Sequence, residues 1–101
     1  MENLVIRSAT FEDELLVKKL CHRNGLIGEV SNQAWEWIWK KNKFYSEAWI
    51  IGWVLECDNY IVGYIGNIPR AYILNGKTWI AGVARSFVVD QEYRRHSLKL
   101  I

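Results

Sequence analysis

Cationic and hydrogen-bonding side chains gather near the C-terminal end of the chain. The segment that follows the β-forming run Ser86–Val89 contains Arg94, Arg95, His96, Ser97 and Lys99. If a helix begins there, its unpaired backbone N–H groups and its dipole both favour a bound anion such as a phosphate. A solvated basic helix start has the same composition. The residues alone therefore leave an anion site and an exposed helix start both open.

A second cluster combines tryptophan with lysine. Trp35, Trp37 and Trp39 stand close to the lysine run 40–43, and the chain has six Trp. Aromatic rings beside cations can stack on nucleic-acid bases, but a formal net charge of only +2 argues against nucleic acid as a partner. Tryptophans at this spacing are more often core residues than the walls of a ligand cage. Because only one side of a helix can face a core, we expect Trp37 and Trp39 to differ in burial.

The remaining candidates for nucleophilic or metal chemistry form no pattern. The spacing of Cys21, His22, Cys57 and His96 matches no zinc motif, so we predict no metal. Cys21 falls on an apolar helix stripe and is predicted to be a buried structural thiol. The sequence has neither the Gly-x-Ser-x-Gly elbow of hydrolases nor a Walker loop, which argues against hydrolase and NTPase activity.

Length and composition predict one globular domain over residues 1–101. Half of the residues are hydrophobic and 24% are charged, which is ordinary for a folded soluble chain. The longest apolar run, Ala48–Leu55, is far shorter than the roughly 20 residues of a membrane-spanning helix. The N-terminus lacks the pattern of a signal peptide, and two isolated cysteines favour a reducing compartment. We therefore expect a cytoplasmic protein with no membrane partner.

The N-terminal half reads as one strand followed by two helices. Leu4–Ile6 is predicted to be a strand, and Thr10–Asp13 has the pattern of a capping box. A helix of about three turns follows, with an apolar stripe and a stop at Gly25. The stripe comprises Leu16, Val17, Leu20 and Cys21. The segment Ser31–Asn42 fits both strand and helix spacing, and we favour a helix.

The C-terminal half reads as three antiparallel strands. Trp49–Leu55 and Tyr60–Gly66 are predicted strands, and Pro69 predicts a bulge or a break in the second of them. The strand resumes until Asn75-Gly76, a pair typical of a type I′ hairpin turn, and Trp79–Val89 returns. Simple alternation along this last strand places Val83, Phe87 and Val89 on one face. Residues 90–95 are expected to form a loop or a first helical turn, and Ser97–Ile101 the start of a helix.

Two segments together resemble the GNAT superfamily of N-acetyltransferases. IRSATFED, residues 6–13, is similar to the opening of such enzymes, where an Ile-Arg-x-Ala-Thr strand end leads into an acid-rich helix start. SFVVDQEYRRHSLKLI, residues 86–101, resembles the central motif, where a strand ends in Val-x-Pro-x-Tyr-Arg and runs into a phosphate-binding loop. The resemblance covers the whole chain but only the first half of the family fold. It implies an α/β fold of order β-α-α-β-β-β with a mostly antiparallel four-stranded sheet, truncated at the start of the next helix.

The resemblance also implies roles for individual residues. The fourth strand of the family offers backbone groups to the pantetheine arm of acetyl-CoA or another acyl-CoA, and the matching residues are Phe87, Val88 and Val89. The pyrophosphate-binding loop corresponds to Arg94, Arg95, His96, Ser97, Leu98 and Lys99. Trp37 becomes a candidate wall of the acceptor groove, and Tyr64 a second candidate substrate residue.

The sequence departs from the family in two respects. Ser97 and Lys99 stand where the phosphate loop usually has glycines, and residues 77–89 contain no Asp or Glu to act as a general base. The catalytic residues therefore remain unassigned. The expected function is an acyl-CoA-dependent N-acyltransferase domain that is inactive alone and acts on an unidentified amine. The alternative is a non-catalytic interaction module. For either one we expect a homodimer, formed across a two-fold axis either through the open edge of the fourth strand or through the C-terminal residues Ser97–Ile101.

Overall fold

Four strands among the described residues form one antiparallel sheet. The computed structural model describes residues 3–26 and 35–100, and for residues 97–100 it describes the backbone alone. The strands are β1 (Leu4–Ser8), β2 (Gly52–Cys57), β3 (Tyr60–Leu74) and β4 (Lys77–Val89), and they lie in the order β1-β2-β3-β4. Together with the helices this confirms a mixed helix and strand fold with a four-stranded antiparallel sheet. β2 begins three residues later than the predicted start at Trp49.

The first helix is capped as the sequence predicts. A short 3-10 turn, Phe11–Asp13, leads into α1 (Glu14–Arg23), and the Thr10 backbone N–H donates to the Asp13 carboxylate at 2.9 Å. Arg7 also donates two hydrogen bonds of 2.8 Å to that carboxylate, which ties the helix start to β1. Three residues of the predicted stripe are buried. Leu16 is 43% exposed because it lies at the edge of the stripe, one residue before Val17.

The tryptophan-rich segment forms a single wide helical turn, Glu36–Lys40, which we call the tryptophan turn. The Lys41 N–H donates to the Glu36 carbonyl at 3.0 Å, which is the i to i+5 spacing of a π-type turn. Trp39 is buried and Trp37 is 61% exposed, which confirms their predicted difference. Trp39 packs edge-on against the rings of Phe11, Trp35 and Tyr45. The predicted helix positions 31–34 lie outside the described residues.

The sheet has a core on each face. The helix side packs α1 and the tryptophan turn on residues that include Val54, Tyr64, Ile68 and Val88. The opposite side buries a second cluster, covered in part by Tyr93 of the C-terminal 3-10 helix, Gln91–Leu100. The cluster consists of Leu55, Cys57, Val62, Ile65 and Val89. Of the loop and the helical turn that the sequence leaves open for residues 90–95, the structure has the helical turn, which begins at Gln91.

β3 runs through Pro69 with a regular register, so the bulge or break predicted there is wrong. The Asn67 N–H donates to Ile51, on the side of the strand away from β4. Backbone N–H and C=O groups two residues apart point to the same edge of a strand, so the Pro69 nitrogen also faces away from β4. β2 starts at Gly52, opposite Gly66, so no residue of β2 lies beside Pro69. The Pro69 carbonyl accepts a hydrogen bond from the Asn42 side chain at 3.2 Å. Proline is tolerated because no ladder hydrogen bond requires its missing N–H.

Beyond Pro69 the β3–β4 hairpin continues as a two-stranded ribbon, residues 70–82, with few buried side chains. Asn75 and Gly76 have φ values of 52° and 75°, which confirms the predicted type I′ turn. The ribbon exposes large apolar side chains on both faces, among them Ile73 at 79% and Trp79 at 56%. No helix in the described ranges is both long enough and apolar enough to cross a membrane.

Candidate functional site

A β-bulge reshapes β4 beside its end. Gly66 pairs with Arg85 and Tyr64 pairs with Val88, so Ser86 and Phe87 stand together opposite Ile65. Ser86 has a φ of 58°, an unusual backbone conformation for a residue other than glycine. The extra residue reverses the alternation of side chains that follow it. The predicted common face of Val83, Phe87 and Val89 is therefore wrong.

The burial of the neighbouring residues shows this reversal. Val83 pairs with Ile68, which packs on the helix side of the sheet. Val89 instead packs in the cluster on the opposite side, and Val88 takes the helix side. Sequence alternation alone cannot reveal a bulge formed by a serine, because serine has no special preference for positive φ.

The bulge leaves the outer edge of β4 with backbone groups that point away from the sheet. The Asp90 N–H donates to the Val62 carbonyl of β3 at 2.8 Å. Since successive residues of a strand point in opposite directions, Val88 faces β3 while Phe87 and Val89 face outward. The Val89 carbonyl accepts a hydrogen bond from Arg94 Nε at 3.1 Å, as expected of an outward group.

A cleft of about 360 Å³ lies beside this edge; we call it the β4 cleft. It is lined by Asn24, Leu26, Phe87, Val88, Val89 and Arg94, and so brings together four of the predicted cofactor residues. Arg95 donates to His96 at 3.2 Å, and neither residue lines the cleft. The side chains of Ser97, Leu98 and Lys99 lie outside the described part of the chain.

An ion pair holds the two walls of the β4 cleft together. Arg23, the last residue of α1, donates two hydrogen bonds to the carboxylate of Asp90, the residue after β4. The Asn24 side chain donates to the same carboxylate at 2.8 Å. Partial burial works to raise the pKa of Asp90, but the bonds from Arg23 and Asn24 and the charge of Arg94 hold it below its usual value. Asp90 therefore stays ionised at neutral pH.

A second cleft, of about 450 Å³, opens on the helix side of β3 and β4; we call it the arginine cleft. Its lining is Trp37, Ile38, Asn42, Phe44, Ile68, Pro69, Arg70 and Arg85. Lys41 Nζ lies 4.7 Å from the centre of the Trp37 ring, a cation–π contact. Trp37 thus lines an open cleft.

A narrow crevice joins the arginine cleft to the bulge. It shares Ile38, Ile68 and Arg85 with that cleft and reaches Tyr64 and Ser86. Tyr64 is only 3% exposed, and burial raises its pKa, so its hydroxyl remains protonated. The buried Trp35 indole N–H also lies at this crevice, and within the described ranges it has no hydrogen-bond partner.

Within the described residues, no Asp, Glu or His lines the two clefts or the crevice. Sequence reasoning missed most of the lining residues, among them Asn24, Leu26, Arg70 and Arg85. Arg70 could have been found from strand alternation. It lies two residues from Ile68 and four from Gly66, so its side chain is on their face of the sheet. Arg85, which pairs with Gly66 across the hairpin, lies on the same face. The positions of Asn24 and Leu26 depend on the docking of α1, which no local pattern specifies.

The protein is therefore of mixed helix and strand class, with a bulged edge strand flanked by two clefts. A search against family models and curated proteins finds no match for this chain.

Proposed function

We propose that this chain carries the acyl-CoA-binding part of a GNAT-type N-acyltransferase, which transfers an acyl group from CoA to an amine. The observation that carries the proposal is the bulged edge of β4, where strand alternation directs the backbone groups of Phe87 and the N–H of Val89 away from β3, beside a cleft that Arg94 lines. An extended ligand with amide groups can pair with such an edge as an added strand. The pantetheine arm of CoA is a ligand of this kind.

The charges around the β4 cleft support the phosphate end of the same ligand. Arg94 lines the cleft, and Arg95 and His96 follow on the helix that begins after β4. Cations attract a pyrophosphate, most strongly at low salt. Ser97 and Lys99 replace the glycines of the family loop, so the backbone is expected to approach phosphate less closely and binding to be weak.

The residues in hand suit binding and positioning better than proton transfer. Acyl-CoA would supply the activated acyl thioester, and the chain would hold it along β4. Arg85 and the crevice would lie on the acceptor side of the bulge, and Phe87 on the cofactor side. No carboxylate lines these spaces among the described residues, so the proposal assigns no general base.

Calorimetry with acetyl-CoA tests the proposal. We expect weak, saturable binding that decreases as salt rises, and a further decrease when Arg94 and Arg95 are both changed to Ala. The matched control changes Lys19 and Lys77 to Ala, which removes the same charge from exposed positions outside the β4 cleft. Undetectable binding at low salt, or equal affinities for the two double variants, would refute the assignment of this cleft.

A second candidate is a non-catalytic module that self-associates, and the exposed ribbon favours it. An isolated two-stranded ribbon is only marginally stable in water, and this one exposes Ile73, Leu74, Trp79 and Ile80. A second copy could cover these side chains by pairing β4 with β4 around a two-fold axis, since β4 has no neighbour on its outer side in the described sheet. Both cysteines are buried and free, which supports a cytoplasmic location for either candidate.

A further inference from the structure

We propose that the arginine cleft binds the carboxylate or phosphate group of a small ligand. The identity of the ligand rests on the proposed function: in an N-acyltransferase, the ligand would be the acceptor, an amine that also carries an anionic group. The anion site itself depends only on the cleft.

Arg70 and Arg85 are the charged residues that line the cleft. They lie on the same face of neighbouring strands, because Gly66, Ile68 and Arg70 alternate along β3 and Arg85 pairs with Gly66. Both arginines are exposed. Guanidinium groups on one face of a sheet can hold a carboxylate or phosphate through paired N–H donors.

These two arginines differ from the others in the described part of the chain. Arg7 and Arg23 form ion pairs with carboxylates, Arg94 donates to a backbone carbonyl and Arg95 donates to His96. Neither Arg70 nor Arg85 has a hydrogen bond or ion pair within residues 3–26 and 35–96. Their donors are therefore available to a ligand.

Among the described residues, no acidic side chain lines the cleft to offset this charge. Residues 61–89 contain no Asp or Glu, and no carboxylate lines the cleft in the described residues. Lys41 and Lys43 add further positive charge over the rings of Trp37 and Phe44, which line the cleft. A cleft whose charged residues are all cations and whose walls are apolar concentrates anions. It also disfavours protonation of an amine held there, which leaves the amine nucleophilic.

The position of Arg85 connects this cleft with the bulge. Arg85 immediately precedes Ser86 and lines both the arginine cleft and the crevice. The crevice itself has a volume of only about 10 Å³, room for one water at most, so the buried Trp35 indole N–H there is out of reach of a ligand. A ligand held by Arg85 would therefore lie next to the bulge, and Phe87, on the other side of the bulge, lines the β4 cleft.

The cleft has the size and the construction of a small-molecule site. Its volume of about 450 Å³ lies within the usual range for ligand pockets. Asn42 fixes one wall, because its side chain donates to the Pro69 carbonyl and accepts from the Phe44 N–H. Ile38, Ile68 and Pro69 provide apolar surface for the body of the ligand.

Solution NMR of the isotope-labelled chain tests the site with three probes: phenyl phosphate, benzoate and benzyl alcohol. We expect both anions to shift the Trp37 indole and Arg85 side-chain signals saturably and more weakly at high salt, and benzyl alcohol to shift them little. The stronger of the two anions identifies the phosphate or carboxylate preference. Equal responses to all three probes, or no saturable shift, would overturn the proposal without requiring any variant.

Substitutions of the two arginines then test whether the anion binds at these side chains. Arg85→Gln and Arg70→Gln are each expected to weaken phenyl phosphate binding about tenfold. Arg85→Lys should keep part of the affinity. Lys77→Gln is the matched control, because this exposed cation lies at the ribbon tip. Unchanged affinity in both arginine variants would refute the site.

The two proposals fail separately. Anion binding in a chain that does not bind acetyl-CoA would retain the anion site and overturn its role as the acceptor site. Acetyl-CoA binding without a response to either anion would overturn the arginine cleft alone.

Discussion

Arg23 and Asp90 form an ion pair that joins the last residue of α1 to the residue following β4. Asn24 donates to the same carboxylate, and the Asp90 N–H donates to the Val62 carbonyl at the end of β4. The two elements joined in this way supply opposite walls of the β4 cleft. The shape of the proposed cofactor site therefore depends on a charge pair between residues 67 positions apart.

We expect Asp90→Asn to lower both stability and acetyl-CoA binding. The variant removes the charge that Arg23 contacts, and because Arg23 is 45% exposed the loss should be only about 1 kcal/mol of unfolding free energy. Urea denaturation measures the stability and calorimetry the binding. Glu92→Gln is the control, since this exposed neighbour has no hydrogen bond or ion pair in the described residues. Equal stabilities of the two variants would contradict the role of the pair.

Acid should destabilise the protein through Asp13 and Asp90. The hydrogen bonds from Arg7 lower the pKa of Asp13, and the pKa of Asp90 is also below its usual value of 3.8. Each carboxylate is thus more acidic in the folded than in the unfolded chain. Its stabilising contribution is complete above the unfolded pKa and is lost as the pH falls through the lower folded pKa.

Urea midpoints measured from pH 7 down to the acid range test this expectation. The wild type should lose stability below about pH 4, in the range where unfolded carboxyl groups bind protons. The double variant Asp13→Asn, Asp90→Asn should be less stable at neutral pH and show a flatter acid profile. An acid profile as steep as that of the wild type would assign the loss to other groups.

Ser86 gives a direct test of the bulge. A β-branched residue is strongly disfavoured at a φ of 58°, so Ser86→Val should destabilise the chain by about 1 to 2 kcal/mol or shift the bulge. Ser86→Asn is the control, because asparagine tolerates this conformation. Amide chemical shifts of Phe87 and Val89 report whether the bulge persists. If Val and Asn are tolerated equally, the backbone at residue 86 does not have this conformation.

Local patterns predicted much of the fold because they act over a few residues. The capping box at Thr10 and the positive φ values of Asn75 and Gly76 follow from hydrogen bonds and steric limits within four residues. The unequal burial of Trp37 and Trp39 follows from helical spacing. None of these features needs information from a distant part of the chain.

The errors concern features set by neighbouring strands. Pro69 is tolerated because no residue of β2 lies beside it, and the face reached by Val89 depends on the bulge at Ser86. Both facts are properties of strand pairing rather than of the local sequence. The β4 cleft was found in part, through Phe87, Val88, Val89 and Arg94. Its other wall was missed because α1 docks through contacts between residues far apart in sequence.

The 101-residue chain alone is expected to show no acyl transfer above background. Within the described residues, neither cleft contains a carboxylate or histidine, and the raised pKa of Tyr64 keeps its hydroxyl protonated. A thiol-trapping assay for free CoA, with acetyl-CoA and a panel of amines, measures this directly. The panel should include amines with and without a carboxylate or phosphate. Saturable CoA release with any of them would show that a base has been missed.

Self-association through β4 should strengthen with salt. β4 carries Lys77 and Arg85 and no acidic residue, so two copies paired along this edge repel each other. Salt screens that repulsion and leaves the burial of Ile73, Trp79 and their neighbours as the driving force. We expect light scattering at tens of micromolar to show a dimer fraction that rises between low and high salt.

Two substitutions distinguish association through this interface from nonspecific hydrophobic association. Trp79→Glu places a carboxylate on the exposed ribbon and should shift the protein toward monomer at high salt, where the added charge is screened but the apolar contact is lost. Lys41→Glu inverts a charge at the tryptophan turn, away from the β4 edge, and should leave the dimer fraction unchanged. A native chain that stays monomeric at every salt concentration would eliminate the ribbon as a self-association surface, and the interaction-module candidate with it.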